Sequence, residues 1–135
     1  MTWRLSDTEL KSVTQLPPER RYSYSIKRFA DQEKIWSLRN EDGWILARDD
    51  EGNELVPIWP HALYAEQCAF DEWANTLAQA IDLDMWLEKW VPGMIRDGRK
   101  VCVFPIPAGQ GVIVTPEKLK ADLEDELSKY EFGDA

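Results

Sequence analysis

The sequence predicts an α+β fold in one domain over residues 1–135, and three observations predict it. Apolar residues recur at helical spacing near both ends, at Tyr22, Ile26 and Phe29 and again at Leu119, Leu123 and Leu127. Between 35 and 59 the pattern instead alternates, with turn signals separating the runs. The 135 residues are 44% hydrophobic and include seven Trp, four Tyr and four Phe, enough apolar material for one core.

Taken in order, Ser6 followed by Glu9 fits a capping box and predicts a helix over 7–15. Pro17-Pro18 stops it, and Pro18 suits the first position of a second helix whose core face carries Tyr22, Ile26 and Phe29. Residues 35–39, 44–48 and 54–59 read as three strands. The turns Glu41-Asp42-Gly43 and Asp49–Asn53 join them, so the expectation is a three-stranded antiparallel meander. Trp36 and Trp44 are expected to pair across its first hairpin. Pro57 cannot donate to a ladder, which predicts an edge or a bulge for the third strand. Pro60 opens a helix over 61–70, whereas 71–81 shows no clear period. Asp82 caps a helix through Met85, Trp86 and Trp90, with an interruption at Pro92-Gly93 and an end at Asp97-Gly98. Val101–Phe104 and Val112–Thr115 form a later β-hairpin across the Pro105–Gly111 loop. Thr115-Pro116-Glu117 then starts the last helix. The expectation totals about five helices.

Net charge is −9, and it is unevenly placed. Residues 1–30 hold six basic and three acidic groups, whereas 31–75 hold three and eleven, 76–115 four of each, and 116–135 three and seven. Nucleic acid and anionic membrane surfaces need the opposite sign over a large area, so neither is expected as a partner. No apolar run approaches the roughly 18 residues needed to span a bilayer. Two cysteines are too few for a disulfide scaffold, and a reducing cytoplasm is the expected compartment.

The chemistry-bearing residues form no catalytic set. His61 and Cys68 lie seven apart on a predicted helix, about 10.5 Å at 1.5 Å per residue and beyond hydrogen-bond reach. One His and no Cys-x-x-Cys spacing exclude a structural zinc site, and Asp49–Glu54 departs from a calcium loop in its Gly position. Gly109-Gln110-Gly111 leads into a strand and reads as hairpin chemistry, not a phosphate cradle. No catalytic residue, metal or cofactor is therefore assigned. Arg20, Tyr24, Lys27 and Arg28 form a basic-aromatic stripe, expected to face the protein's own acidic half. Of the tryptophans, Trp59, ending a strand, and Trp73, in an acidic irregular stretch, are the candidates for exposure.

Several pieces together resemble the bacterial family called domain of unknown function 2750. They are Tyr22-Ser23-Tyr24-Ser25-Ile26-Lys27-Arg28, Trp36-Ser37-Leu38, Glu41-Asp42-Gly43-Trp44, Pro57-Ile58-Trp59-Pro60-His61, Tyr64-Ala65, Trp86-Leu87-Glu88-Lys89-Trp90 and Val103-Phe104-Pro105. The resemblance covers about 22–127. It implies a small bacterial protein and carries over no catalytic residues.

The expected function is a non-enzymatic protein-binding module of inhibitor, immunity or adaptor type. Its acidic surface, from the 41–54 turns and 66–72, would meet a basic protein through Asp49, Asp50, Glu51, Trp59 and Trp73. The alternative is a small-molecule or enzymatic pocket between the sheet and helices 82–97, drawing on Tyr24, His61 and Cys102. Monomer and homodimer both stay open, with self-association along the third strand as one route.

Overall fold

The computed structural model describes residues 3–133. Helix α1 (Asp7–Thr14) starts where the capping box places it, the Glu9 N–H donating to Ser6 Oγ at 3.1 Å. Helix α2 (Pro18–Gln32) buries Ile26, Phe29 and Ala30, and also Arg21 and Ser25. Glu33, with φ 55°, turns the chain directly into strand β1 (Lys34–Asn40).

The strands form two sheets. The predicted return strand 44–48 is divided: β2 (Gly43–Trp44) pairs with β1, and β3 (Ala47–Arg48) pairs with β4 (Glu54–Ile58) in the other sheet. Ile45 and Leu46 carry the chain between them. Sheet one has the antiparallel order β2-β1-β5, where β5 is Leu77–Asp82, a strand the sequence pattern left unassigned. It pairs with β1 along its length, from Lys34 opposite Asp82 to Arg39 opposite Leu77. Sheet two has the order β3-β4-β6-β7. Here β4 runs parallel to β6 (Lys100–Val103), which pairs antiparallel with β7 (Val112–Val114). The third predicted strand is thus interior to a four-stranded sheet, which removes it as a self-association edge. Pro57 is tolerated there because its missing N–H lies on the side where β4 has left β3; its carbonyl accepts from Ser37 Oγ at 2.7 Å. The two sheets touch where Trp36 and Trp59 exchange backbone hydrogen bonds of 2.9 and 2.8 Å.

Trp36 and Trp44 form no cross-hairpin clasp. Trp44 meets Trp90 edge-on at 5.1 Å, and Trp36 stacks toward His61 at 6.4 Å, because the register places Arg39, not Trp36, opposite Trp44.

Helix α3 (Ala62–Glu66) is shorter than expected and is followed by a 3₁₀ turn, Asp71–Trp73. After β5 a continuous helical segment runs through α4 (Leu83–Met85), a π-helical turn (Trp86–Trp90) and α5 (Val91–Asp97). Pro92 has no N–H to give the preceding turn, and the wide turn ahead of it absorbs that defect. Gly98, at φ 71°, closes α5, with Arg99 N–H reaching Met94 O at 2.9 Å. Helix α6 (Pro116–Gly133) packs back against α2 and α5. Trp59, Trp86, Tyr64, Phe29 and Phe104 are the largest side chains in one shared core, each contributing about 1.5–3 kcal/mol by burial. Among the described residues no helix is long and apolar enough to cross a membrane.

Candidate functional site

Three connections converge beside sheet two: the β3–β4 turn, the 3₁₀ turn after α3, and the β6–β7 loop. Between them lies a cleft of about 580 Å³. Its floor is apolar, built from Leu55, Cys68, Cys102 and Ile113, and its rim is acidic, with Asp50, Glu51, Asp71 and Glu72.

Each wall has a local cause. In the β3–β4 turn, the Asp49 carboxylate accepts from the backbone N–H groups of Glu51 (3.0 Å) and Asn53 (2.8 Å) and from Asn53 Nδ2 (2.8 Å). Those bonds, the Asn53 side chain first, hold its pKa below the ordinary carboxylate value. Asp49 is thus consumed in shaping the turn, while Asp50 and Glu51 stay exposed. The second wall begins at Asp71, whose φ of 52° is a left-handed conformation that Asp adopts more readily than most residues. It presents Asp71 and Glu72 outward and lays Trp73 edge-on against Trp59 at 6.1 Å. Among the described residues Asp50, Glu51, Asp71 and Glu72 are in no ion pair; Arg48, the cation beside them, is 3.7 Å from Glu54.

The third wall is the most tightly held. Phe104 turns the chain out of β6 at φ 59°, a strained value for an aromatic residue. Pro105 O accepts from Trp59 Nε1 at 2.8 Å and from Cys68 Sγ at 3.5 Å. Arg21, only 3% exposed, donates from Nε to Phe104 O (3.2 Å), from Nη1 to Leu16 O (2.6 Å) and from Nη2 to Gln110 O (2.7 Å). On the loop's return, Gly111 passes so close to β6 that a Cβ there would run into the Val103 carbonyl and lie 2.8 Å from Pro105 N.

The cleft gathers Asp49, Asp50, Glu51, Trp73 and Cys102. Trp59 is excluded: it is fully buried beneath the loop, so its expected exposure is corrected. A strand-end position reads as open in sequence, but the Pro105 loop crosses over it. Glu41 and Asp42 lie at a separate exposed turn, between β1 and β2. Tyr24 and His61 flank one ring, that of Trp3, at 6.2 and 4.9 Å, while Cys102 lines the cleft, which neither of them lines. Tyr24 Oη donates to Glu9 Oε2 at 2.6 Å and lies 3.1 Å from Tyr64 Oη, while Arg28 Nη2 reaches the same Glu9 oxygen at 3.1 Å. Burial first, then the Glu9 bond, pushes the Tyr24 phenol far up, so it stays protonated. His61 sits edge-on to Trp3 at 4.9 Å, and its Nδ1 accepts from Leu63 N–H at 3.1 Å, capping α3. Leu83, Trp86, Val91 and Met94, on the helical segment expected to wall a pocket, are buried in the core.

The floor thiols are poor nucleophiles. Burial pushes Cys68 up to about 11 and Cys102 upward as well. Among the described residues no three His, Cys, Asp or Glu side chains are placed to hold a metal ion. The basic-aromatic stripe does line one groove, with Arg20, Tyr24, Lys27 and Arg28 on it. Arg28 is ion-paired there with Glu9 at 3.1 Å and contacts Asp31 at 3.9 Å.

Sequence reasoning missed Arg21 as the strut of the cleft and Phe70 as part of its lining. The Asp71-Glu72-Trp73 triplet was the available signal for the second wall.

Among curated proteins none matches the chain. A family model described as a protein of unknown function (DUF2750) matches residues 22–123, which takes in every lining residue of the cleft. The chain therefore belongs to the DUF2750 family of proteins of unknown function.

Proposed function

We propose that this protein is a binding module for a basic protein segment, received in the acid-rimmed cleft. The observation that carries the reading is the placement around an apolar floor of four carboxylates that have no ion-pair partner among the described residues. A cation on an apolar stem, such as a Lys or Arg side chain, matches both parts: the stem covers Leu55 and Ile113 while the head stays among the acids. Trp73, half-buried at the edge, adds an aromatic face for that cation. The protonated thiols favour recognition over covalent catalysis. An inhibitor or immunity-type protein against a cationic partner, working in the cytoplasm, is the concrete form of this reading.

The test is titration with a Lys/Arg-rich peptide and an acidic control, at low and moderate salt. The basic peptide is expected to bind, to quench Trp fluorescence and to weaken as salt rises. Asp50→Lys/Glu51→Lys/Glu72→Lys should slow association about tenfold or more at low salt. Binding that is indifferent to salt and to that triple reversal would overturn the proposal.

A second reading rests on the same cavity, whose volume suits a small apolar ligand. Thermal unfolding across a metabolite panel separates the two, since a ligand at 100 times its Kd adds about 2.7 kcal/mol.

A further inference from the structure

Strand β5 ends sheet one, and the direction of its backbone groups follows from its neighbour. In β1, Trp36 exchanges both of its backbone bonds with Trp59, and Leu38 O accepts from Ile45 N–H at 3.0 Å. Even-numbered residues of β1 therefore turn their N–H and C=O away from β5, and odd-numbered ones turn toward it. Ile35, Ser37 and Arg39 bond with Ile81, Gln79 and Leu77, opposite them in the register. The outer edge then consists of the N–H and C=O groups of Ala78 and Ala80, which bond to no group among the described residues.

Edges of this kind are usually protected by Lys, Pro or a bulge, and Leu77-Ala78-Gln79-Ala80-Ile81 has none of these. Its two edge residues carry methyl side chains that cannot shield the backbone. Leu77 at its start is 78% exposed, more than any other large apolar side chain described. The charge pattern favours one kind of partner. A second copy of a −9 chain is repelled over the 31–75 surface, whereas 76–115 is neutral. A basic segment, conversely, has no acid to meet within 77–81.

We propose that β5 pairs antiparallel with β5 of a second copy about a two-fold axis at Gln79, making one continuous six-stranded sheet. Only registers that oppose even-numbered residues satisfy the free groups. With Gln79 on the axis, Ala78 of each copy bonds Ala80 of the other, and Leu77 of each copy falls opposite Ile81 of the other. Each Asp82 falls opposite Thr76, so the two Asp82 carboxylates lie about 20 Å apart along the strands, beyond the Debye length at physiological salt.

Sedimentation over a concentration series should give twice the 15.7 kDa chain mass at the upper end. Leu77→Lys, at an exposed site, should weaken dimerisation at least tenfold, as should Ala80→Pro, which removes an outward N–H and no bond to β1. Gln79→Cys should form an intermolecular disulfide in a glutathione redox buffer, faster than Ser12→Cys on the exposed face of α1, because two-fold-related residues at a non-hydrogen-bonded pair sit within disulfide range. A wild-type chain that is monomeric throughout, or a Leu77→Lys variant with undiminished dimerisation, or equal cross-linking at Gln79→Cys and Ser12→Cys, overturns it.

Discussion

Replacing Arg21 tests whether the cleft wall is held as described. Arg21 is 3% exposed, and among the described residues its guanidinium donates to three backbone carbonyls and to no carboxylate, two of the carbonyls lying on the Phe104–Gln110 stretch. Arg21→Met keeps much of the volume and removes every donor. Phe104 O is then left buried without this bond, at about 1–3 kcal/mol. Leu16 and Gln110 are partly exposed, so water can replace the lost donor there, at a net 0.5–1.5 kcal/mol each, roughly. Release of a buried charge offsets part of that total, leaving a destabilisation of about 2–4 kcal/mol. Arg21→Lys should recover only a fraction, since one ammonium cannot reach three carbonyls placed for a planar fork. Urea unfolding measures this as a lower midpoint at unchanged slope. The same variant should bind the basic peptide more weakly. A midpoint shift worth less than about 0.5 kcal/mol, a normal surface-substitution effect, would refute the clamp.

Trp59→Phe and Trp86→Phe remove similar volumes from fully buried sites, but Trp59 Nε1 donates to Pro105 O while Trp86 Nε1 has no partner among the described residues. Chemical denaturation should find Trp59→Phe costlier by about 0.5–1.5 kcal/mol, the net worth of the lost bond, because Pro105 O keeps the Cys68 Sγ donor. His61 has its pKa lowered from 6.5, chiefly by burial, so folding favours the neutral ring. Its contribution is full above pH 6.5 and lost as pH falls through the lower, folded value; His61→Asn, which keeps a capping acceptor, should flatten the stability profile measured from pH 7 to 5.

Local chemistry made the helix starts legible: Ser6 with Glu9, Pro18, and Thr115 with Pro116 act within a few residues of themselves. Strand β5 was not legible because Ala and Gln have little strand preference of their own, and its state is imposed by β1. The alternation over 44–48 predicted extended backbone correctly but cannot name a partner, and two partners in two sheets share it. The acids and Trp73 were readable as surface. Their meeting with Cys102 was not, because it depends on β4 lying parallel to β6, with Leu55 beside Lys100.

The strand divided at Ile45-Leu46 constrains how the molecule comes apart. With two residues between β2 and β3, peeling either from its sheet pulls on the other, and the Trp36–Trp59 bridge ties the same sheets a second time. Neither sheet is a separable folding unit. Amide hydrogens of β1 and β4 are then expected to exchange through one shared opening, and native-state hydrogen exchange should find equal protection free energies for the two strands.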